Sequence, residues 1–169
     1  NAVFPALMAI AVLCLRPRFA AGSYRADLLL DLAGLAVCLA GQSLRALAVG
    51  YVYIKRGGKQ QRIWAGRLIQ GGLFAHTRNP LYLGNVLIFT GLAMIFGTPL
   101  ALAAGVPAVL FIYTCIIQAE EQYLRSKFGA EYEDYVSRVN RWWPDWRGLS
   151  QSIQGMVFRW KRVLNKEYG

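Results

Sequence analysis

Two groups of polar side chains, about forty residues apart in the sequence, could together form a reactive site. The first lies in residues 66–85, a polar stretch between two apolar segments that holds the single histidine and the turn Arg78-Asn79-Pro80. The second is the acidic pair Glu120 and Glu121. Such groups are costly at an apolar boundary, which suggests that they have a function. Alternatively, Arg78 pairs with one carboxylate merely to close a helical hairpin, and the residues alone leave both hypotheses open.

A metal site is not expected from these residues. His76 is the only histidine, and the three cysteines lie in apolar runs without the spacing of metal ligands. The cysteines are interpreted as small apolar packing residues. A lone histidine at an interface is usually structural, so a binding role for His76 remains the less common alternative.

The composition predicts an all-α integral membrane protein. The 169 residues suit one domain, and 56% of them are hydrophobic, which is too many for a soluble domain of this size. The net charge of +10 fits either a nucleic acid or an anionic membrane surface. Because the basic residues flank apolar segments, the membrane is favoured and no nucleic-acid partner is expected.

The apolar segments predict about four transmembrane helices, in residues 2–15, 28–54, 81–96 and 100–117. The first is short for a full span and is interpreted as a retained helix rather than a signal peptide. The turn Gly97-Thr98-Pro99 makes the last two segments a helical hairpin, and Pro107 should kink its second helix. Arg45 lies inside the second segment and could face protein, a cavity or the headgroups, or could extend to the membrane surface.

Residues beyond Glu120 predict interfacial helices. Apolar and aromatic residues recur at helical spacing from Leu124 to Val139, with an interruption near Gly129. The tryptophans around Pro144 suit the headgroup level. Residues 149–164 predict a basic amphipathic helix lying on the membrane. We therefore divide a single domain into N-terminal transmembrane helices (1–54), a catalytic core (55–144) and an interfacial helix (145–169).

The distribution of positive charge predicts the orientation. The turn Gly97-Thr98-Pro99 has no Lys or Arg, whereas residues 55–78 and those after Glu120 are rich in them. By the positive-inside tendency, both polar groups face the cytoplasm of an inner or plasma membrane. The arginines at positions 16, 18 and 25 fall on the other side and oppose this topology.

Two motifs resemble those of one family of membrane enzymes. The first is Arg78-Asn79-Pro80-Leu81-Tyr82-Leu83-Gly84, preceded by Leu68-Ile69-Gln70-Gly71-Gly72-Leu73-Phe74. The second begins at Glu120-Glu121 and continues through Phe128-Gly129 to Tyr132 and Tyr135. In this order they resemble the signature of the isoprenylcysteine carboxyl methyltransferase and phospholipid methyltransferase family, over residues 44–144.

The resemblance implies an integral membrane methyltransferase that uses S-adenosyl-L-methionine. It implies cofactor contacts from residues 66–69, which include Arg67, Leu68 and Ile69, and from Phe74, Asn79, Pro80, Leu81, Tyr82 and Glu120. His76 is kept as a further cofactor-binding candidate. The candidate reaction-site residues are Glu121 and the arginines Arg78, Arg138 and Arg141, and any of these arginines could bind a terminal carboxylate of the substrate. Asn79 stands where many members have histidine, and Phe74 where many have tyrosine. Ile116 occupies the place of an arginine that faces the substrate carboxylate in eukaryotic isoprenylcysteine enzymes.

The implied partners are the lipid bilayer and a lipophilic methyl acceptor, either isoprenylcysteine-carboxylate-like or a lipid. Because Ile116 cannot bind a substrate carboxylate, the resemblance supports methyl transfer more than it supports prenylcysteine as the substrate. Two alternatives remain: an NADPH-dependent membrane reductase of sterol-reductase-like architecture, and a non-enzymatic membrane module. The short chain leaves little room for a dinucleotide pocket, which favours the methyl donor.

Overall fold

The computed structural model describes residues 23–51, 67–97 and 99–167, and these ranges contain helices and turns but no strand. The predicted first segment, residues 2–15, and the basic residues 55–62 lie outside the described ranges. The helices are α1 (Tyr24–Tyr51), a 3-10 helix (Gly72–Ala75), α2 (Pro80–Ile95), a π-helical turn (Ala101–Gly105), α3 (Val106–Phe128), α4 (Ala130–Arg138), α5 (Leu149–Ile153) and α6 (Trp160–Glu167).

Within the described ranges, two helical stretches are long and apolar enough to cross a membrane. They are α1, with a mean hydropathy of 1.6, and the continuous stretch Ala101–Phe128, with a mean hydropathy of 1.9. Between them, α2 is apolar but has only 16 residues. The all-helical architecture is confirmed, whereas a total of four spans stays a prediction because its first member lies outside the described residues.

Glycines bring α1 and α2 into backbone contact. A Cβ atom added at Gly91 would lie 2.4 Å from the carbonyl oxygen of Gly34, and one added at Gly41 would lie 2.7 Å from that of Gly84. Small residues allow membrane helices to approach this closely. Because Gly34 meets Gly91 and Gly41 meets Gly84, the helices are antiparallel, and the end of α1 lies beside the start of α2.

The predicted hairpin is formed by α2 and α3. Gly97, with φ of 63°, follows the last turn of α2, and Asn85 of α2 donates a hydrogen bond to the Tyr113 hydroxyl of α3 at 2.9 Å. Where a kink was predicted at Pro107, the structure has the π-helical turn directly before the proline's helix. Since proline lacks an N–H, a widened turn accommodates the missing hydrogen bond.

The C-terminal helices are shorter than the sequence pattern predicts. Gly129, with φ of 52°, separates α3 from α4, which confirms the predicted interruption. The single amphipathic helix expected over residues 149–164 is instead two helices, α5 and α6, because Gly155 has φ of 77°. A left-handed residue cannot continue an α-helix. Val157, between the two helices, is exposed, whereas Val163 of α6 is buried.

Candidate functional site

The antiparallel packing brings the two polar groups to one end of the helix bundle, which we call the site end. It contains the end of α1 at Tyr51, the start of α2 at Pro80 and the acidic pair of α3. The Tyr82 hydroxyl donates a hydrogen bond to Glu120 Oε1 at 2.8 Å. The structure therefore joins the motif of α2 to the motif of α3 by direct contact between their side chains.

The two neighbouring glutamates face different partners. Consecutive side chains on a helix point about 100° apart, so Glu120 contacts Tyr82 while Glu121 turns inward and is only 3% exposed. Arg141 donates two hydrogen bonds to the Glu121 carboxylate, at 3.0 and 2.7 Å. The Arg78 guanidinium lies 3.2 Å from the same carboxylate. Arg125 lies 3.8 Å away, at the i,i+4 spacing.

The cluster raises the pKa of Arg141 and buries Arg78. The hydrogen bond to Glu121 is the main cause that raises the pKa of Arg141 above its ordinary value, outweighing the opposing effect of burial. The Arg78 side chain is 9% exposed and donates to the Val136 carbonyl at 3.3 Å. Its Nε is buried without a hydrogen-bond acceptor in the described structure. The cluster thus combines a satisfied carboxylate with an unused guanidinium donor.

Arg138, also predicted as a reaction-site residue, lies apart from this cluster. Its Nη2 donates to Asp134 Oδ2 at 2.6 Å and to Gln70 Oε1 at 3.3 Å, and its side chain is 58% exposed. The structure therefore brings together Arg78, Glu121 and Arg141. It places Arg138 at the surface, where it contacts Gln70.

Several residues predicted to contact the cofactor are buried in the core or bonded to other parts of the chain. Phe74 is 1% exposed and lies in the core with α1, and its carbonyl accepts a hydrogen bond from Tyr135. Asn79 donates to the Arg141 carbonyl at 3.2 Å. The His76 ring lies between the Asp145 carbonyl and Ser152 Oγ, the latter at 2.9 Å. Pro80 is buried, and Leu81 packs against the core cluster of α1.

A cavity of about 420 Å³ lies beside the end of α1. Its lining includes Arg67, Leu68 and Ile69, which the sequence predicted as ligand contacts. It also includes residues that were not predicted to contact a ligand: Tyr51, Gln70, Gly71, Met156 and Arg162. Met156 and Arg162 come from far along the chain and belong to neither motif, so no sequence signal placed them here. Two guanidinium groups and an aromatic ring suit a ligand with a carboxylate and a flat ring.

A second cavity, of about 460 Å³, lies beside the arginines that pair with Glu121. Its lining includes Arg78 and Arg141, together with Trp142 and Trp143. Of the predicted cofactor contacts, Arg67, Leu68 and Ile69 thus line the first cavity, whereas the predicted reaction-site residues Arg78 and Arg141 line the second. No group of three or more metal-ligating side chains occurs within residues 23–51, 67–97 and 99–167.

A chain of polar contacts also crosses the helices below the site end. Arg45 of α1 donates to Asn85 Oδ1 of α2, and Asn85 donates to Tyr113 of α3. The Tyr113 ring lies 5.2 Å from the ring of Tyr82, which contacts Glu120. Of the alternatives open for Arg45, the structure supports the one in which it faces protein. Asn85 and Tyr113 were not predicted, because an isolated amide or phenol on an apolar helix has many possible roles.

Comparison with known proteins finds a family and several relatives. The model of the family described as phospholipid methyltransferase matches residues 30–131. Two proteins of Oryza sativa, subspecies indica and japonica, named probable protein-S-isoprenylcysteine O-methyltransferase, are 28% identical over 116 residues. That alignment covers 66% of this chain and 59% of each rice protein, so the chain spans about three-fifths of their length. An uncharacterized Haemophilus influenzae protein is 39% identical over 62 residues, covering 37% of this chain and 98% of that protein.

The fold also resembles that of a solved structure. A eukaryotic intramembrane Ras methyltransferase, isoprenylcysteine carboxyl methyltransferase, superposes with a TM-score of 0.62 and 24% sequence identity. The superposition covers 83% of this chain and 52% of that protein. At this identity the likeness shows a shared fold.

Proposed function

The chain belongs to the phospholipid methyltransferase family, and we propose that it is a membrane-embedded methyltransferase that uses S-adenosyl-L-methionine. The matched residues 30–131 contain the first motif and the start of the second, and the resemblance predicted from them is confirmed. One observation carries the proposal: the Tyr82–Glu120 hydrogen bond and the adjacent Arg78–Glu121–Arg141 cluster join the two motifs at one end of the bundle. We assign the catalytic function to residues 55–144.

The groups present are compatible with this cofactor. Arg67 and Arg162, which line the first cavity, would bind its carboxylate by charge-assisted hydrogen bonds. The ring of Tyr51, which lines the same cavity, suits a cation or a flat base. Glu120 and Tyr82 line neither of the two cavities, and we assign them to the cofactor from the family resemblance, with Glu120 offsetting its positive charge. When bound, the cofactor supplies an activated methyl group.

The chain's own contribution is to place the reactants and to exclude water. Methyl transfer needs little acid–base chemistry, so holding nucleophile and methyl group in a reactive geometry can supply much of the rate. The ion pairs of Glu121 fix Arg78 and Arg141 beside the second cavity. We assign Arg78, Glu121 and Arg141 to orienting the acceptor, with Arg138 as a more peripheral contact.

The proposed acceptor is lipophilic, either isoprenylcysteine-carboxylate-like or a lipid, and reaches the site from the bilayer. Large apolar side chains of α3 are exposed along the hairpin, among them Phe111 at 71% and Ile112 at 54%. Exposed apolar side chains on a spanning helix suit contact with lipid. The basic residues at the site end support a cytoplasmic orientation in an inner or plasma membrane.

Isothermal titration of the purified protein with S-adenosylhomocysteine and with NADPH tests the reaction class. We expect the parent to bind S-adenosylhomocysteine, and we expect Glu120→Gln to weaken that binding about tenfold, which corresponds to about 1.4 kcal/mol. Glu133→Gln, which removes an exposed carboxylate paired with Arg125, is the matched control and should bind like the parent. Binding of NADPH but not S-adenosylhomocysteine would favour the reductase instead.

The acceptor is tested by incubating the protein with methyl-labelled cofactor and native membrane extract. Label in extracted lipid indicates a lipid acceptor, whereas label in protein that is released by mild base indicates a carboxyl methyl ester. Absence of transfer, together with absence of cofactor binding, would leave the non-enzymatic membrane module as the better explanation.

A further inference from the structure

Large apolar side chains remain exposed in the C-terminal part of the chain, outside the spanning helices. They are Trp143 (80% exposed), Trp146 (50%), Val157 (69%), Trp160 (68%) and Leu164 (57%). We call these five residues the C-terminal surface. Soluble proteins rarely expose several large apolar groups within so short a segment, and such exposure indicates an interaction partner.

One part of this surface is attached to the end of α1. The Arg159 N–H donates to the Gly50 carbonyl at 3.1 Å, and the Phe158 ring packs against Tyr51 with 5.2 Å between ring centroids. Gly50 is the penultimate residue of a helix long enough to span a membrane. Val157 and Trp160, which flank Phe158 and Arg159, therefore lie at the level where that helix ends.

The other part is attached to the start of α2. The Arg78 N–H donates to the Asn140 carbonyl at 2.9 Å, and the Asp145 N–H donates to the His76 carbonyl at 3.1 Å. These backbone hydrogen bonds hold the segment that contains Trp143 and Trp146 against residues 76–78, directly before the start of α2. Because α1 and α2 are antiparallel, the end of α1 and the start of α2 lie at the same end of the bundle, and so do both parts of the surface.

The charge of the segment identifies the partner. Residues 142–164 contain four cations, Arg147, Arg159, Lys161 and Arg162, and one anion, Asp145. Arg147, Arg159 and Lys161 are exposed. Tryptophan favours the headgroup level of a bilayer, and nearby cations are attracted to anionic lipids. A protein partner would not require this pairing of aromatic and basic groups at the membrane boundary.

We propose that the C-terminal surface docks onto the anionic leaflet of the same bilayer that the helices span. Trp143, Trp146 and Trp160 insert at the headgroup level, and Arg147, Arg159 and Lys161 contact lipid phosphates. The proposal does not depend on the enzymatic function. It has a consequence for the first cavity, because Met156 and Arg162 line that cavity and belong to the docked segment.

The full chain, reconstituted in vesicles with lipids brominated near the headgroup or near the chain terminus, tests this docking. Bromine quenches nearby tryptophan, so we expect stronger quenching by headgroup-proximal bromine. Trp143→Phe and Trp160→Phe should each remove part of the quenchable fluorescence. Addition of phosphatidylglycerol to phosphatidylcholine should increase the quenching in the parent and not in the double variant Arg159→Gln/Lys161→Gln.

Arg25→Gln is the matched control, because Arg25 is an exposed cation at the opposite end of α1, and it should retain the response to phosphatidylglycerol. Quenching of Trp143 and Trp160 by aqueous acrylamide but not by brominated lipid would overturn the proposal. Protection from both quenchers that increases with the protein-to-lipid ratio would also overturn it, in favour of a second copy of the chain as the partner.

Discussion

Glu121 is a buried carboxylate whose removal would leave cations without compensation. Arg78 is itself buried beside it, and Arg141 makes two hydrogen bonds to it. Breaking a buried ion pair by removing one partner typically costs about 3–5 kcal/mol. We expect Glu121→Gln to lower the free energy of unfolding in detergent micelles by about 3 kcal/mol, as measured by denaturant titration.

The control for this variant is Glu133→Gln. Glu133 pairs with Arg125 at 2.9 Å, but its side chain is 58% exposed, and exposed pairs contribute under about 1 kcal/mol. Equal effects of the two variants would contradict a structural role for Glu121. The raised pKa of Arg141 means that the stability gained from its ionisation is fully present below the unfolded pKa. It is lost only when the pH rises through the higher folded value, so Arg141 gives no pH dependence near neutrality.

The acidic pair also shows what the sequence could and could not predict for the site. A contact between Arg78 and one of the two glutamates was one of the two hypotheses that the sequence left open, and this contact is observed. The identity of the glutamate did not follow, because it depends on the rotation of α3 about its axis. Similarly, the partners of His76 are a backbone carbonyl and Ser152, and backbone carbonyls carry no residue-type signal.

At the scale of elements, the contact of α1 with α2 depends on glycine. A Cβ at Gly91 would lie 2.4 Å from a backbone oxygen and 2.6 Å from Cys38 Sγ. Because backbone cannot move aside as a side chain can, Gly91→Ala must separate the helices. We expect a loss of about 1–3 kcal/mol in the free energy of unfolding, the usual cost of overpacking.

Gly105→Ala is the matched control for the helix contact. A Cβ there would meet only the Phe89 ring, at 3.3 Å, and a ring can shift by a few tenths of an ångström. It should therefore cost less than Gly91→Ala. If both variants unfolded at the same denaturant concentration, close backbone approach would not be what stabilises the α1–α2 pair.

The polar contacts of Arg45, Asn85 and Tyr113 tie three helices together at one level. Asn85→Leu removes the amide that bridges the other two side chains, and we expect a loss of about 1–3 kcal/mol in stability. Tyr113→Phe, which removes one hydrogen bond, should cost about 0.6 kcal/mol. Thr90→Val is the control on α2, because the Thr90 hydroxyl bonds only within its own helix. Equal stability of the Asn85 and Thr90 variants would contradict a bridging role.

Element types were more predictable than their boundaries and depths. Long apolar segments predicted α1, α2 and α3 correctly, because hydrophobic length is a local property of the sequence. The environment of Arg45 could not be predicted because its partner, Asn85, belongs to another helix forty residues away. The break at Gly155 was missed because apolar residues continue at helical spacing across it, while the positive φ of one glycine separates α5 from α6.

At the scale of the whole molecule, residues 76–79 attach the C-terminal segment to the helix bundle. The N–H of Arg78 bonds to Asn140, Asn79 bonds to Arg141, and His76 contacts Asp145 through both backbone and ring. Most of these acceptors are backbone carbonyls, so the attachment fixes the path of the chain more than the choice of side chains. The first motif therefore organises the C-terminal segment, which supplies Met156 and Arg162 to the first cavity.

His76 holds the part of this segment that leads into α5. Its ring bonds to the Asp145 carbonyl and to Ser152 Oγ, and the side chain is 5% exposed. His76→Ala removes both contacts. We expect faster amide hydrogen exchange in residues 146–153, detected by mass spectrometry, because local opening replaces the lost contacts. The helices α1 and α2 should exchange as in the parent.

Ser152→Ala separates the two contacts of the histidine ring. It removes only the bond at 2.9 Å and retains the contact with the Asp145 carbonyl, so its effect on hydrogen exchange should be smaller than that of His76→Ala and confined to α5. If His76→Ala left exchange in residues 146–153 unchanged but weakened S-adenosylhomocysteine binding, the histidine would be a cofactor contact rather than an attachment point. If it weakened binding and accelerated exchange together, the attachment of the segment would itself support the first cavity, since both effects would follow from displacing Met156 and Arg162.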